Sequence, residues 1–202
     1  MAITKVGVSG LFVAKETLEV LLQSRNFVNS KGELLSRAPG GFCLPGGRLE
    51  DYELDAYLKA SDSGGRRSIA DEAFRREMSE ESGRPIPHLN FLPQPYHFQW
   101  NIKDGMPEIA TGSIPGLATI FDYSETLVEK EFSGKEDYLY PIILPRKVVH
   151  DIASHWQEGR GAVLLPIQYT TGIRGIPPDH AMLLSVFADY VSQGKLNGQK
   201  VL

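Results

Sequence analysis

Three glutamates near the middle of the chain have the spacing of metal-binding carboxylates. Glu77, Glu80 and Glu81 stand at i, i+3 and i+4, which makes them neighbours if the stretch 68–83 is a helix. Carboxylates this close repel one another, and a bound cation removes that repulsion. Hard oxygen ligands suit Mg²⁺ or Mn²⁺. The spacing also allows a simpler interpretation, in which a solvated acidic helix end pairs with Arg76.

The pattern of residues 68–83 predicts one helix that directs these glutamates inward. Ser68 and Asp71 form a capping pair at its start, and Gly83 followed by Pro85 ends it. A surface helix usually turns its carboxylates to water. Here the glutamates instead continue the helix's apolar face. That apolar face is formed by Ile69, Ala70, Ala73, Phe74 and Met78.

A glycine corner precedes the helix. Residues 40–47 predict a short strand that ends at Gly46 and Gly47. Two glycines allow the backbone to approach a ligand or expose a carbonyl, although a plain turn is the alternative. Residues 51–67 predict a small helical insertion on the surface, with Asp51 as its N-cap and Leu54, Tyr57 and Leu58 at helical spacing.

The corner and the helix together resemble the motif of the Nudix hydrolase family, G-x5-E-x7-R-E-U-x-E-E-x-G-U, where U is a bulky aliphatic residue. The matching segments are Leu44-Pro45-Gly46-Gly47-Arg48-Leu49-Glu50 and Arg76-Glu77-Met78-Ser79-Glu80-Glu81-Ser82-Gly83. Gly47 and Arg76 are 29 positions apart where the pattern has 14, so about 15 residues are inserted between Glu50 and the helix.

Two further positions depart from the family pattern. Counted back from the helix, the first glutamate of the pattern falls at Ser68, and the final aliphatic position holds Arg84. In the family that glutamate supports the helix and its arginine. We expect Ser68 as the helix cap, with Glu72 beside Arg76, to replace it.

The resemblance implies an α/β protein, a Nudix-type α/β/α sandwich with a mixed central β-sheet. Residues 1–202 would form a single domain with an insertion at about 51–67. Hydrophobic patterning predicts the accompanying elements. These are strands at 6–14, 17–27, 118–123, 138–144 and 161–166, and helices at 146–157 and 178–193.

The resemblance also implies an activity, the metal-dependent hydrolysis of a diphosphate linkage in a nucleoside diphosphate derivative. The expected partner is a nucleotide-derived small molecule such as ADP-ribose, a nucleotide sugar or a dinucleotide such as NADH. A nucleoside triphosphate and coenzyme A fit the same chemistry. The alternative is a non-catalytic Nudix domain used for nucleotide sensing or interaction.

The family's functional residues carry over onto matching positions of this chain. Glu77 and Glu81 would bind Mg²⁺ or Mn²⁺, and Glu80 would contribute directly or through water. The Gly46 carbonyl would be a further ligand, and Arg76 would orient the glutamates.

An acidic stretch at 124–137 predicts a loop whose carboxylates are mostly solvated. Nudix enzymes often take an extra metal ligand or a base from a loop at this distance past the motif. Glu129 and Glu131 are the candidates here.

An alternating aromatic run at 93–100 has two interpretations. The alternation predicts a half-buried strand. The functional interpretation makes Tyr96, Phe98 and Trp100 a wall on which a base or nicotinamide stacks.

Composition limits the class of partner. The net charge of -4 and pI of about 5.8 argue against binding of a nucleic acid polymer. The single Cys43 fits a reducing compartment, and no apolar run is long enough for a membrane span, so we expect a cytoplasmic protein. Many relatives are dimers, which makes a homodimer one expectation.

Overall fold

The computed structural model describes residues 2–27, 32–33, 40–103, 106–111, 132–157, 159, 161–170, 176–177, 180–181, 183–185 and 187–188, without the side chains of 103 and 106–111. The strand predicted at 118–123 and the candidate residues Glu129 and Glu131 lie outside these ranges.

Along the described residues, four strands and two helices are followed by three more strands and then by a helix, a strand and a short helix. The strands are β1 (Lys5–Ala14), β2 (Glu19–Ser24), β3 (Phe42–Cys43), β4 (Gly46–Arg48), β5 (Tyr96–Lys103), β6 (Met106–Thr111), β7 (Lys135–Leu144) and β8 (Ala162–Pro166). The helices are α1 (Asp51–Lys59), α2 (Ser63–Ser82), α3 (Arg146–Ser154) and the four-residue α4 (Ile167–Thr170), with a 3-10 turn at Pro87–Leu89. Within the described ranges, no helix has the length and apolar character needed to cross a bilayer.

The eight strands of the described part form one sheet in the order β3-β2-β1-β7-β5-β6. β4 pairs with β1, and β8 pairs with β2. Nine of the ten residues of β1 are buried, so this strand reads as a continuous apolar run rather than an alternating one. The prediction of a strand over 6–14 is confirmed.

Contacts between Cα atoms divide the chain into two units, each assembled from separate segments. The first comprises Met1–Gly10, Gly46–Met78 and Pro87–Pro141, and the second Leu11–Pro45, Ser79–Ile86 and Ile142–Leu202. A single domain over residues 1–202 therefore stays a prediction.

In the first unit, the motif helix packs through the apolar face that the sequence predicts. Phe74 of α2 stacks on Tyr140 of β7, with ring centroids 4.3 Å apart and an interplanar angle of 12°. The Tyr140 hydroxyl donates to Asp71 Oδ1 at 2.8 Å. Ala73 and Met78 are fully buried beside them. Burial of this kind contributes about 1.5–3 kcal/mol for a large apolar side chain.

In the second unit, β2 lies between β3 and β8 and packs against α3. Val149 and Ile152 form the buried face of α3, as its periodicity predicts. Arg146, at the start of α3, donates to Glu19 Oε2 at 2.6 Å. In the predicted C-terminal helix, the described positions from 180 to 188 are helical, and Leu184 is fully buried.

The predicted start of the motif helix is wrong. α2 begins at Ser63, because Asp62 Oδ1 accepts the Gly65 amide at 2.7 Å and so caps the first turn. Ser68 is an exposed residue inside the helix, not its cap. The N-cap of α1 is likewise Glu50, not Asp51.

This difference in capping predicts a difference in stability. Asp62→Ala should lower the free energy of unfolding by about 0.5–2 kcal/mol, because it leaves an amide of the first turn without its acceptor. Ser68→Ala should cost nothing or stabilise by about 0.5 kcal/mol, because alanine has the higher helix propensity. Urea unfolding followed by circular dichroism compares the two variants. A larger loss for Ser68→Ala would contradict the assignment of the cap.

Candidate active site

Gly46 is required by the close approach of two strands. It lies in β4 opposite Ser9 of β1, with a φ of 141°. A Cβ atom there would stand 2.1 Å from the Val8 carbonyl oxygen and 2.8 Å from Ser9 Cα. Because those neighbours are backbone atoms, they cannot move aside, and only glycine fits.

Gly47 is required for a different reason, the approach of a motif carboxylate. A Cβ atom at Gly47 would lie 2.2 Å from both Cδ and Oε2 of Glu77. The Glu77 carboxyl group therefore rests directly on the backbone of β4. The glycine corner leaves room for the Glu77 side chain of the motif helix, which is a more specific role than a plain turn.

The Arg76 guanidinium connects α2 to both α1 and β4. Its Nε donates to Glu53 Oε1 at 3.1 Å and its Nη2 to Glu53 Oε2 at 2.9 Å, which is a two-point contact. Nη1 donates to Glu77 Oε1 at 2.9 Å, and Nη2 also reaches the Arg48 carbonyl at 3.2 Å. The planar fork of arginine suits such paired contacts, which fix orientation as well as distance.

Glu53 is ionised in this environment. Burial raises the pKa of Glu53, but hydrogen bonds from Arg76 and from the Glu50 amide outweigh it, and the pKa falls below its usual value. The hydrogen bonds to Glu53 in turn raise the pKa of Arg76. Both partners therefore carry their charges at neutral pH.

The supporting glutamate of the family pattern is Glu53, and the predicted replacement by Ser68 is wrong. Glu53 follows Gly47 by six positions, as the pattern requires, whereas Ser68 is exposed. The additional residues thus lie between Glu53 and Arg76. Helix α1 has one buried face, on which Glu53 is 8% exposed and Tyr57 is fully buried, while most of its other residues are exposed. Counting forward from the corner, rather than back from the helix, would have found Glu53.

The three motif glutamates differ in exposure. Glu81 is 7% exposed, Glu77 is half-buried and Glu80 is exposed. The backbone at Glu81 is anchored within its own unit, because its carbonyl accepts the Gln157 amide at 3.1 Å.

The carboxylates of α2 are compatible in chemistry with a hard divalent cation. A buried carboxylate such as Glu81 is costly unless a cation or hydrogen bonds compensate its charge. Among the residues that the structure describes, however, no three histidine, cysteine or acidic side chains are arranged to hold a metal ion. Metal binding by Glu77, Glu80, Glu81 and the Gly46 carbonyl therefore stays a prediction.

The aromatic run forms strand β5, as its alternation predicts. Phe98 and Trp100 are buried, and Trp100 Nε1 donates to Asp137 Oδ2 at 2.6 Å. Tyr96 is half-buried, with its ring centroid 6.4 Å from that of Phe98. Of the three aromatic candidates, Tyr96 is the one with exposed surface for stacking.

A buried carboxylate that the sequence does not single out lies at the start of β7. Glu136 Oε2 accepts the Tyr57 hydroxyl at 2.6 Å and lies 3.0 Å from His97 Nε2, while Oε1 accepts Gln99 Nε2 at 2.7 Å. The Tyr57 hydroxyl also lies 2.8 Å from that of Tyr138. Burial raises the pKa of Glu136, but the hydrogen bonds led by that of His97 outweigh it, so the pKa is lowered.

The expectation of a solvated acidic loop that extends to residue 137 is wrong for Glu136 and for its neighbour Asp137. Both side chains are buried in β7, where Glu136 pairs in register with Gln99 of β5. Alternation in a strand places Glu136 and Asp137 on opposite faces. One signal was available in the sequence. Each strand has two polar residues two positions apart, at 97 and 99 in β5 and at 136 and 138 in β7.

Comparisons with known proteins identify the fold. No family model and no curated protein matches the chain. Among solved structures, a mutT/nudix family protein from Listeria innocua is 16% identical over 97% of this chain and 99% of its own, with a TM-score of 0.56. A MutT protein from Methanosarcina mazei Go1 is 12% identical over 96% and 97%, with a TM-score of 0.50.

The chain has the Nudix fold, the α/β/α sandwich with a mixed central sheet that the sequence predicts. At this level of identity the likeness establishes the fold alone. Function must be argued from the residues of this chain.

The Glu53–Arg76 contact predicts a pH-dependent contribution to stability. Because the folded pKa of Glu53 is below its unfolded value of about 4.3, its contribution is present above that pH and is lost as pH falls through the folded pKa. Glu53→Gln should lower the free energy of unfolding by about 1–3 kcal/mol at neutral pH. The difference from the wild type should shrink on acidification.

Urea unfolding between neutral and acidic pH measures this difference. Glu72→Gln is the control, because Glu72 is an exposed glutamate of α2, the helix that carries Arg76. Surface substitutions of that kind change stability by about 0.5 kcal/mol or less. A Glu53→Gln penalty that persists unchanged in acid would contradict the ion pair.

Proposed function

We propose that this protein is a metal-dependent hydrolase that cleaves the diphosphate linkage of a nucleoside diphosphate derivative. The observation that carries the proposal is the Arg76 guanidinium, held by Glu53 on one side and bonded to Glu77 on the other. Glu77 in turn rests on Gly47. The glycine corner, supporting glutamate, arginine and first ligand glutamate of the Nudix motif thus form one contact group.

This contact group is suited to catalysis by positioning. The arginine holds the Glu77 carboxylate before any ligand arrives, so little reorganisation is needed when charge develops on a reacting phosphate. Glu77, Glu80, Glu81 and the Gly46 carbonyl would hold Mg²⁺ or Mn²⁺. When bound, such an ion neutralises the diphosphate and lowers the pKa of an attacking water.

The remaining parts of the proposal concern the substrate. A chain with a net charge of -4 needs a local cation to hold an anionic diphosphate, and the bound metal would supply it. Tyr96 would offer a ring face to a base or nicotinamide. ADP-ribose, a nucleotide sugar and NADH share this chemistry. A hydrolysis panel of these compounds, with products identified by mass, distinguishes among them.

Glu81→Gln is the first test of the mechanism. Loss of one charge-stabilising group typically costs about 10²–10³ in rate, so hydrolysis with Mg²⁺ should nearly disappear while the protein stays folded. Glu80→Gln should have a milder effect if the exposed Glu80 contributes through water, and a comparable one if it binds the ion directly. Phosphate release after coupling to a phosphatase measures both.

Two outcomes of this test would change the conclusion. Full activity of Glu81→Gln, on a substrate that the wild type cleaves, removes the proposed mechanism. A wild type that binds members of the panel but hydrolyses none would instead favour a nucleotide-sensing module.

Alanine at the two corner glycines should affect different properties, the reaction rate at Gly47 and the stability at Gly46. Gly47→Ala would displace the end of the flexible Glu77 side chain, so it should reduce the rate by about 10-fold or more while costing about 1 kcal/mol or less in stability. Gly46→Ala would collide with backbone, so it should lower stability by more. Thermal unfolding and turnover of each variant check the pair. Equal losses of stability in the two variants would contradict these different roles of Gly46 and Gly47.

A further inference from the structure

We propose that Tyr57 is a positioning residue, which holds helix α1 in place so that Glu53 stays bonded to Arg76. Tyr57 does so through its hydrogen bond to the buried carboxylate of Glu136. The expected effect on the reaction rests on the proposed hydrolysis, whereas the restraint on Arg76 is tested without turnover. The side chains that carry this inference belong to α1, α2 and β7, and all lie within the first unit.

One face of α1 contacts both the motif helix and the sheet. Glu53 and Tyr57 are four residues apart on this helix, so their Cβ atoms lie about 5–6 Å apart. Glu53 accepts two hydrogen bonds from Arg76 of α2. Tyr57 donates to Glu136 Oε2 of β7 at 2.6 Å. A displacement of α1 that breaks the second contact therefore also disturbs the first.

Glu136 is a rigid point of attachment for α1. Its side chain is 2% exposed, and besides Tyr57 it contacts Gln99 Nε2 at 2.7 Å and His97 Nε2 at 3.0 Å. Burial raises the pKa of Glu136, but the hydrogen bonds led by that of His97 outweigh it, so the pKa is lowered and the carboxylate is ionised. Hydrogen bonds to an ionised acceptor are stronger than those to a neutral one.

Tyr57 is also restrained by contacts to its ring. It is fully buried, and its ring meets that of Tyr138 edge-on, with centroids 6.2 Å apart and an interplanar angle of 82°. From α2, the Arg66 guanidinium lies 5.3 Å from the Tyr57 ring centroid. Burial raises the pKa of Tyr57, so its hydroxyl keeps the proton that it donates.

These contacts attach α1 to the motif helix at two separate points. Arg66 meets the Tyr57 ring, and Arg76 binds Glu53. The two arginines are ten residues apart on α2, which corresponds to about 15 Å along the helix axis. Attachment at both points limits rotation as well as translation of α1.

The lengthened motif makes such a restraint necessary. Glu53 and Arg76 are 23 positions apart, where the family pattern has 8. A longer connection restrains its two ends less, so their contact depends more on other bonds. The hydrogen bond from Tyr57 to Glu136 lies on the same face of α1 as Glu53 and provides one.

The consequence for the reaction passes through Arg76. The guanidinium that Glu53 orients also donates to Glu77 Oε1 at 2.9 Å, and Glu77 is a proposed metal ligand. Tyr57 acts through these residues rather than on the substrate. Its loss should therefore lower kcat and leave KM little changed.

Hydrogen exchange at the Arg76 Nε–H group tests the restraint without turnover. Tyr57→Phe removes the hydroxyl and keeps the ring. Since α1 then opens more often, the Arg76 Nε proton, which is bonded to Glu53 Oε1, should exchange about 10-fold faster or more. Nitrogen-15 NMR measures this rate, and Arg76→Lys identifies the signal. An exchange rate equal to that of the wild type overturns the proposal.

Tyr140→Phe is the matched control for this measurement. Tyr140 is another fully buried tyrosine of the first unit, and its hydroxyl donates to a carboxylate, Asp71 Oδ1, at 2.8 Å. That bond involves no residue of α1, so the exchange at Arg76 should stay near the wild-type rate. Equal acceleration in both variants would indicate a general loss of stability and overturns the specific role of Tyr57.

Turnover tests whether Tyr57 acts through Glu53. Tyr57→Phe should lower kcat by about 10-fold, as is typical when a partner that orients a ligand residue is removed. In a Glu53→Gln background the same substitution should have no further effect, because Arg76 has already lost the carboxylate that α1 positions. Losses that multiply in the double variant show that Tyr57 acts by another route, and overturn the proposal.

The outcomes separate this inference from the proposed function. If the wild type is active and Glu81→Gln is not, unchanged exchange at Arg76 in Tyr57→Phe overturns the role of Tyr57 alone. If the wild type hydrolyses nothing in the panel, the proposed hydrolase fails, and the exchange rate still supports or overturns the restraint on Arg76.

Discussion

The contact of Arg76 with Glu53 is the interaction on which the described site depends. It is a two-point contact of a largely buried carboxylate with a guanidinium that also holds Glu77 and the Arg48 carbonyl. Removing the Glu53 carboxylate leaves part of this guanidinium without its acceptor, which costs about 1–3 kcal/mol. The contact fixes orientation, because Glu53 of α1, Glu77 of α2 and the Arg48 carbonyl of β4 all bind the planar guanidinium of Arg76.

Helix α1 has a larger role than its position inside an interrupted motif suggests. Glu53 and Tyr57, on one face of this nine-residue helix, bind the motif arginine and the buried Glu136. The additional residues of the chain follow Glu53, so the family spacing from the glycine corner to its supporting glutamate is kept. The chain lengthens the connection between Glu53 and Arg76 while their side-chain contact is retained. Surface connections tolerate such insertions because closing a longer loop costs little entropy.

The sequence predicted elements well where periodicity was strong. The apolar stripe of α2, the buried strand β1 and the face of α3 are all confirmed. One prediction was wrong because a second residue that could take the same role lay nearby in the sequence. Ser68 fits a cap in isolation, but Asp62 lies further upstream and caps the first turn by accepting the Gly65 amide. Glu136 and Asp137 looked solvated because burial of a charge depends on partners that are distant in sequence.

The sequence by itself determined the identity of the motif, the two glycines and the order of the elements, because these follow from local backbone preference and from periodicity. Only the tertiary structure decided which carboxylate binds Arg76 and which charged side chains are buried. Lys135 shows why: it is 5% exposed, pairs with Asp137 at 2.8 Å and lies 5.5 Å from the Trp100 ring centroid. The counter-charge Asp137 is two residues away on the same strand, but the Trp100 ring that packs on Lys135 belongs to β5, and no local pattern records that this charged pair is buried against it.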